Sequence, residues 1–395
     1  MLKAAARMDR MAPSGIRKVN EKALAIERKG GSVIHFEIGR PDFDTPEYIK
    51  KAAIESLNAG NVFYTSNFGM MELRQTVAEK LRRENGLDYK ATEVLITAGL
   101  SEAVFAVLAC YLDEGDELLI PDPVWINYRN VPAFLNARTV FYSLKEENDF
   151  QPDPDEVRSK ITEKTKAIVL VTPNNPTGGV LSKETLQKIA DIAIEKDILV
   201  ISDEVYERFI YDDRPHVSIA GFPGMKERTF TLNGLSKTYS MTGWRLGYVA
   251  APEEAINVLN KFHQHNTTCA VSFGQAAAIT AINEEGDEVR EMLQEYRRRR
   301  DCAVAAINAI DGLSCVKPKG AFYIFINCKS FGMTSEALSD YLLEHAGIAL
   351  VPGDVFGPGG EGYLRMSFAN SYEQVEEGCR RLKTAVDALR KEGKP

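Results

Sequence analysis

The segment between Gly234 and Gly247 holds the side chains with the clearest capacity for chemistry in this chain of 395 residues. Lys237 stands directly after the short apolar run 229–232, and Arg245 follows in the same segment. A lysine amine can condense with a carbonyl group to give a Schiff base. The planar fork of donors on an arginine suits a phosphate group. The pair therefore predicts a site for an aldehyde cofactor that carries a phosphate, which is the chemistry of pyridoxal 5'-phosphate (PLP).

Other polar residues follow other predicted strands. Apolar runs alternate with helical patterns between residues 91 and 250, which predicts a mostly parallel sheet covered by helices on both faces. Asn175, Asp203 and the helix start at Gly99–Ser101 each follow the end of one of these strands, as Lys237 does. Ligands of open α/β sheets bind beyond the carboxyl ends of the strands. The sequence therefore predicts that an amide, a carboxylate, an amine and a helix N-terminus meet at one rim.

These motifs resemble the lysine signature and surrounding loops of the class I/II aminotransferases, a family of PLP-dependent fold-type I enzymes (aspartate aminotransferase-like). The resemblance extends over about residues 39–368. It implies an α/β fold with a large domain, whose mostly parallel seven-stranded sheet lies between helices, and a smaller α/β domain. The expected boundaries are 1–45 for an N-terminal arm and part of the small domain, 46–285 for the large PLP-binding domain and 286–395 for the small C-terminal domain.

The resemblance also implies a role for each polar residue at the rim. Lys237 would be the catalytic residue and hold the cofactor as a Schiff base, and Asp203 would keep the pyridine nitrogen protonated. Asn175 and Tyr206 would bind the phenolic oxygen. The phosphate would lie at the helix N-terminus beside Arg245, because the first N–H groups of a helix bind anions. The expected cofactor-binding set is Gly99, Leu100, Ser101, Trp125 (stacked on the ring), Asn175, Asp203, Tyr206, Ser236, Lys237, Arg245 and Tyr64.

A second arginine predicts where the substrate binds. Arg365 lies within an apolar predicted strand, and a buried arginine must be paired. The α-carboxylate of an amino acid is a bidentate match for its guanidinium group. The resemblance implies that Gly39 and Asn175 meet the same carboxylate.

The choice of substrate stays open at this stage. Some bacterial relatives that use aspartate place a lysine at the position of Ser101 to hold the distal carboxylate, so its absence disfavours a standard aspartate enzyme. Arg40 is either a ligand for an acidic or polar side chain or an ordinary surface arginine. Ile16 and Tyr323 are further residues expected near the pocket.

The reaction implied by the resemblance moves the amino group of an L-amino acid to a 2-oxo acid in two half-reactions, with ping-pong kinetics. The alternative is a PLP-dependent lyase, decarboxylase or oxidase on the same fold, since the chemistry at the substrate Cα depends on pocket geometry. Tyr64 resembles the tyrosine that reaches the phosphate of a neighbouring subunit, and Thr268 could contribute similarly. The expected assembly is a homodimer with shared active sites.

Composition excludes several other classes of protein. The net charge of −8 disfavours a nucleic-acid partner, and the one basic run, Arg297–Arg300, is interpreted as a solvated helix face. The six cysteines are scattered without a Cys-x-x-Cys pair, the first residues lack the apolar core of a leader, and no run approaches the ~18 apolar residues of a membrane span. We therefore expect a cytoplasmic protein. The five histidines form no ligand cluster, so no metal site is expected.

Overall fold

A seven-stranded sheet lies at the centre of the computed structural model, which describes residues 2–284 and 286–391. The strands in chain order are β1 (Ile34–His35), β2 (Val94–Thr97), β3 (Glu117–Asp122), β4 (Arg138–Ser143), β5 (Thr165–Val171), β6 (Leu199–Asp203), β7 (Thr229–Gly234), β8 (Gly247–Ala250), β9 (Tyr323–Asn327), β10 (Ile348–Ala349), β11 (Val351–Pro352) and β12 (Tyr363–Ser367). The central sheet has the order β2-β8-β7-β6-β5-β3-β4, and only β8 runs antiparallel to its neighbours. The mostly parallel sheet expected from the sequence is confirmed.

Helices cover both faces of this sheet. They are α1 (Gly15–Glu27), α2 (Glu47–Asn58), α3 (Met71–Lys80), α4 (Leu100–Tyr111), α5 (Asn127–Phe134), α6 (Pro154–Lys160), α7 (Lys183–Glu195), α8 (Leu235–Thr238), α9 (Glu253–Asn266), α10 (Ser272–Asn283), α11 (Asp287–Asn308), α12 (Ser335–Ala346) and α13 (Tyr372–Lys391). Successive strand residues point to opposite faces, so Leu118 and Val169 pack on the side of α4 and α9, whereas Leu119 and Ile168 pack on the side of α6 and α7. Within the described ranges, no helix is long and apolar enough to cross a membrane.

A smaller lobe packs beside the central sheet. It contains the antiparallel sheet β11-β12-β9 and the helices α11, α12 and α13, which share one apolar core. Strand β1 pairs in parallel with β10, so the N-terminal segment is joined to this lobe. The exact boundaries at residues 45 and 285 stay a prediction.

The basic run on α11 is only half exposed, and the interpretation as a solvated helix face is wrong for two of its residues. Arg299 and Arg300 are buried (5% and 0% exposed) because the helical period turns them toward the rest of the protein. Arg299 forms an ion pair with Asp42 at 2.8 Å. Arg300 donates two hydrogen bonds to the Asp212 carboxylate, at 2.9 and 3.0 Å, and lies over the ring of Tyr211.

We predict that Arg300→Leu lowers the free energy of unfolding by about 1–3 kcal/mol, because Asp212 loses its bidentate donor. Asp212 is partly exposed, so water compensates for part of that loss. The surface variant Arg290→Leu on the same helix is the control, and we expect a change below about 1 kcal/mol there. Denaturant unfolding measures both values, and equal effects of the two substitutions would contradict the prediction.

Candidate active site

A cavity of about 210 Å³ opens at the carboxyl ends of β5, β6 and β7. Most residues predicted from the sequence line it, and Ile16 and Tyr323 line it as expected. Gly99 is not among the residues that line the cavity, and Tyr64 is 86% exposed and lies outside it. The lining residues are Ile16, Gly39, Leu100, Ser101, Trp125, Val171, Asn175, Asp203, Val205, Tyr206, Ser236, Lys237, Thr242, Arg245, Tyr323 and Arg365.

Lys237 lies on α8, directly after β7, and its amine points into the cavity. The Nζ atom donates a hydrogen bond to the carbonyl oxygen of Gly39 at 2.7 Å. Burial, together with the positive charges of Arg365 and Arg245, lowers the pKa of Lys237 to about 8. A larger fraction of the amine is therefore neutral near pH 7 than for an exposed lysine, and the neutral amine is the nucleophile.

Asp203 is the last residue of β6 and is 2% exposed. Its carboxylate accepts hydrogen bonds from the hydroxyl of Tyr128 at 2.9 Å and from the N–H of Val205 at 3.3 Å. Burial raises the pKa of Asp203 to about 7, and these two bonds oppose the rise. A buried carboxylate of this kind is completed by a cationic donor, such as a protonated ring nitrogen.

Tyr128 on α5 contacts a residue of the cavity, and the sequence did not predict this contact. Its side chain is fully buried, and its ring meets that of Trp125 edge to face with 5.9 Å between the centroids. The tyrosine stands three residues after a tryptophan that was singled out, and this spacing was the only available signal. The contact with Asp203 joins residues far apart in the chain, so no local pattern predicted it.

The loop after β5 and the turn after β6 supply the two groups expected to bind a phenolic oxygen. Asn175 accepts a hydrogen bond from Arg365 through its Oδ1 atom at 3.1 Å. The hydroxyl groups of Tyr206 and Tyr323 are 2.7 Å apart and share a hydrogen bond. Burial raises the pKa of Tyr206 well above its usual value, so its hydroxyl stays protonated and can donate.

The end of the cavity beside α4 and Arg245 carries groups of the kind that bind anions. The N–H groups of Leu100 and Ser101 are the first of α4 and have no acceptor within the helix. Arg245 donates to the carbonyl oxygens of Thr242 at 3.0 Å and Ala98 at 3.3 Å, which places its guanidinium group close to the start of α4. Gly99 has a φ of +82°, and a Cβ atom there would collide with that guanidinium group. Glycine is required for this close approach.

Arg365 in β12 is 1% exposed and points toward the same cavity. Beyond Asn175, it donates to the carbonyl oxygen of Glu37, and its guanidinium group lies 4.6 Å from the ring centroid of Tyr323. Its Nε–H group is buried without a hydrogen-bond partner, and none of the ion pairs found in the described part of the chain includes Arg365. A substrate carboxylate would supply the missing acceptor and the missing charge.

Arg40 and Thr268 lie away from this cavity. Arg40 lines a separate open groove together with Trp244 and Phe273, and Arg245 lies where the two spaces meet. Thr268 accepts a hydrogen bond from Asn67 through its carbonyl oxygen at 2.6 Å. Neither residue lines the cavity that holds Lys237 and Asp203.

A second polar cluster lies next to Asp203 in the chain but outside the cavity. Glu204, Glu207 and His216 bring potential metal-ligand atoms within 4.8 Å of one another. Glu204 accepts hydrogen bonds from His216 at 2.8 Å and Ser218 at 2.7 Å, and Lys80 forms an ion pair with Glu207. The Lys80 ammonium supplies a positive charge beside the carboxylates of this cluster. The absence of a metal site stays a prediction.

We predict that Lys237 in the cofactor-free protein titrates near pH 8. Pulse labelling with an amine-reactive reagent, read by mass spectrometry, should show a labelling rate that levels off above that pH. Arg365→Gln should move this titration to higher pH because a neighbouring positive charge is removed, whereas the surface variant Arg290→Gln should not. The prediction is wrong if Lys237 titrates together with the exposed lysines.

The chain is similar to known proteins over nearly its whole length. A family model described as aminotransferase class I and II matches residues 31–382. An aspartate aminotransferase of Pyrococcus abyssi is 46% identical over 383 residues, which cover 96% of this chain and 97% of that protein. An aromatic-amino-acid aminotransferase 2 of Thermococcus litoralis is 44% identical over the same length and the same shares of both chains. The solved structure of an aspartate aminotransferase from Thermus thermophilus with maleate has a TM-score of 0.93 and 37% identity, and the match covers 98% of this chain and 100% of that one.

Proposed function

The chain belongs to the class I and II aminotransferase family and is therefore a PLP-dependent aminotransferase; we propose that its cavity moves an amino group from an L-amino acid to a 2-oxo acid in a ping-pong cycle. One observation carries this proposal. A single cavity joins a lysine of lowered pKa, a buried carboxylate, a helix N-terminus with an arginine, and a second buried arginine that lacks an anionic partner.

The donor set fits PLP group by group. Lys237 would hold the aldehyde carbon, and Asp203 would bind the protonated ring nitrogen. Asn175 and Tyr206 would donate to the phenolic oxygen, and Trp125 would cover one face of the ring. Leu100, Ser101 and Arg245 would bind the phosphate, with Ser236 nearby and Gly99 leaving room for the guanidinium group. When bound, the cofactor supplies an electrophilic carbon and an electron-accepting ring.

Lys237 also performs the proton transfer in this proposal. When it is not bound to the cofactor, its Nζ atom would take a proton from the substrate Cα and later give a proton back, and a pKa of about 8 suits both roles. The carbonyl oxygen of Gly39 accepts from this amine and orients it. Tyr128 keeps the Asp203 carboxylate in place through its hydrogen bond, so the anion faces the cavity in a fixed direction.

The substrate carboxylate would bind to Arg365 through the free Nε–H and a neighbouring N–H group, beside Asn175. Lys237, Arg245 and Arg365 are the cations in the described lining, and each has a role already. Ser101 offers no charge, and Arg40 lies outside. We therefore propose a substrate with an apolar or aromatic side chain.

We predict a complete half-reaction without any oxo acid. The PLP form mixed with phenylalanine or tyrosine should convert to the pyridoxamine form and release one equivalent of 2-oxo acid, faster than with aspartate. Absorbance of the cofactor and assay of the oxo acid measure this. Lys237→Ala should be slower by at least about a thousandfold, because the base is lost. Release of ammonia, carbon dioxide or peroxide would instead identify the lyase, decarboxylase or oxidase alternative.

The surface around Tyr64 supports a homodimer with shared sites. Ile54, Leu57 and Phe63 are apolar and exposed, and Phe63 is 80% exposed. Ile54 and Leu57 also line the open groove that reaches Arg245. Exposed apolar surface of this kind marks an interaction site. We propose that a second copy covers it and brings its own Tyr64 to the phosphate end of the cavity.

A mixture of two variants, each lacking one residue of the shared site, tests this arrangement. When Lys237→Ala and Tyr64→Ala subunits are unfolded and refolded together, the hybrid dimers should contribute about a quarter of wild-type activity, because half of the dimers are hybrids with one intact site. Each variant refolded alone is the control. No recovery, in a mixture shown to contain hybrid dimers, would place Tyr64 outside the partner's site.

The cytoplasmic location rests on sequence and cysteine chemistry. All six cysteines are free thiols, and burial raises the pKa of the Cys315 and Cys328 thiols to about 12. The location stays a proposal, as do the domain boundaries.

A further inference from the structure

Glu102 and His263 form a buried pair directly behind the phosphate end of the cavity. Glu102 lies on the first turn of α4 and is 9% exposed, and His263 lies on α9 and is fully buried. The Oε1 atom of Glu102 is 2.7 Å from Nδ1 of His263. The Oε2 atom accepts a hydrogen bond from the backbone N–H of Ala98 at 2.8 Å. Neither side chain lines the cavity, so the pair can act only through the backbone that it holds.

The residue held by this carboxylate also holds Arg245. The N–H group of Ala98 binds Glu102, and its carbonyl oxygen accepts from the guanidinium group of Arg245 at 3.3 Å. The backbone then continues through Gly99 to the first N–H groups of α4. Fixing Ala98 therefore fixes both parts of the anion site, the arginine and the helix N-terminus.

The histidine determines which way the carboxylate points. The Nε2 atom of His263 is buried without a hydrogen-bond partner, and a buried N–H group is rarely left without an acceptor. The ring hydrogen is therefore assigned to Nδ1, which donates to Glu102. A plain helix cap would need only the carboxylate. Here a second, fully buried donor holds one oxygen and leaves the other directed at Ala98.

We propose that Glu102 and His263 are positioning residues for the cofactor phosphate. They set the orientation of the backbone at Ala98 and of Arg245, and so determine the affinity for the phosphate group rather than for the pyridine ring. This inference rests on the proposed binding of PLP between Lys237 and Arg245.

The test compares PLP with pyridoxal, which shares the aldehyde and the ring but lacks the phosphate. Both are titrated into cofactor-free Glu102→Gln, in which an amide N–H group must face either Ala98 or His263. PLP should bind at least about tenfold more weakly than to wild type, and pyridoxal should bind equally well. The matched control is Glu156→Gln outside the cavity, where the carboxylate likewise accepts one backbone and one side-chain bond, both from Ser143.

A pair of histidine variants provides an independent measurement. His263→Leu should reduce the preference for PLP over pyridoxal as Glu102→Gln does, and His263→Asn, which keeps a donor near the Nδ1 position, should restore it. The melting temperature with and without inorganic phosphate gives a second readout, with the increase caused by phosphate lost in Glu102→Gln and His263→Leu.

Three results would overturn the inference. An equal loss of PLP and pyridoxal affinity would show a purely structural pair, and no loss of either would show that the pair is dispensable. A wild-type protein without preference for PLP over pyridoxal would refute the phosphate site itself and thus the proposed function. If Glu102→Gln does not fold, the comparison of His263→Leu with His263→Asn decides.

Discussion

Three cationic side chains share one small cavity, and the rest of the site follows from their mutual repulsion. Lys237, Arg245 and Arg365 line about 210 Å³, and the two arginines help to lower the pKa of the lysine. Placing three positive charges in one small space costs electrostatic free energy when no anion lies between them. A phosphate at one end and a carboxylate at the other would balance the arginines separately and leave the lysine as the reactive group between them. Asp203 lines the same cavity, and its negative charge opposes the lowering of the Lys237 pKa.

The parallel sheet makes this crowding possible because neighbouring strands deliver their last residues to one rim. Strands β5, β6 and β7 lie side by side; Asp203 is the last residue of β6, and Asn175 and Lys237 follow β5 and β7. The small lobe then brings Arg365 across from β12 to within 3.1 Å of Asn175. Apolar packing on both faces keeps these strand ends rigid, so the polar groups need little reorganisation to meet a ligand.

Local sequence patterns predicted the strands, the helices and the polar residues at the strand ends. The alternation of apolar runs and helical segments predicted a mostly parallel sheet, the family resemblance implied its seven strands, and the residues at three strand ends predicted Lys237, Asp203 and Asn175. What the sequence could not provide depends on contacts between distant segments. The hydroxyl of Tyr128 donates to Asp203, and Arg299 and Arg300 are buried against acidic partners. None of these contacts is indicated by the residues next to them in the sequence.

The bond from Arg365 to the carbonyl oxygen of Glu37 joins residues 328 positions apart, and this separation bears on biosynthesis. During translation the central strands can pair long before β12 leaves the ribosome. Lys237 and the Gly39 carbonyl that accepts its hydrogen bond both precede β12 in the chain, so Arg365 is the last of these groups to be synthesised. The part of the pocket around Lys237 and the start of α4 is thus synthesised before the part around Arg365.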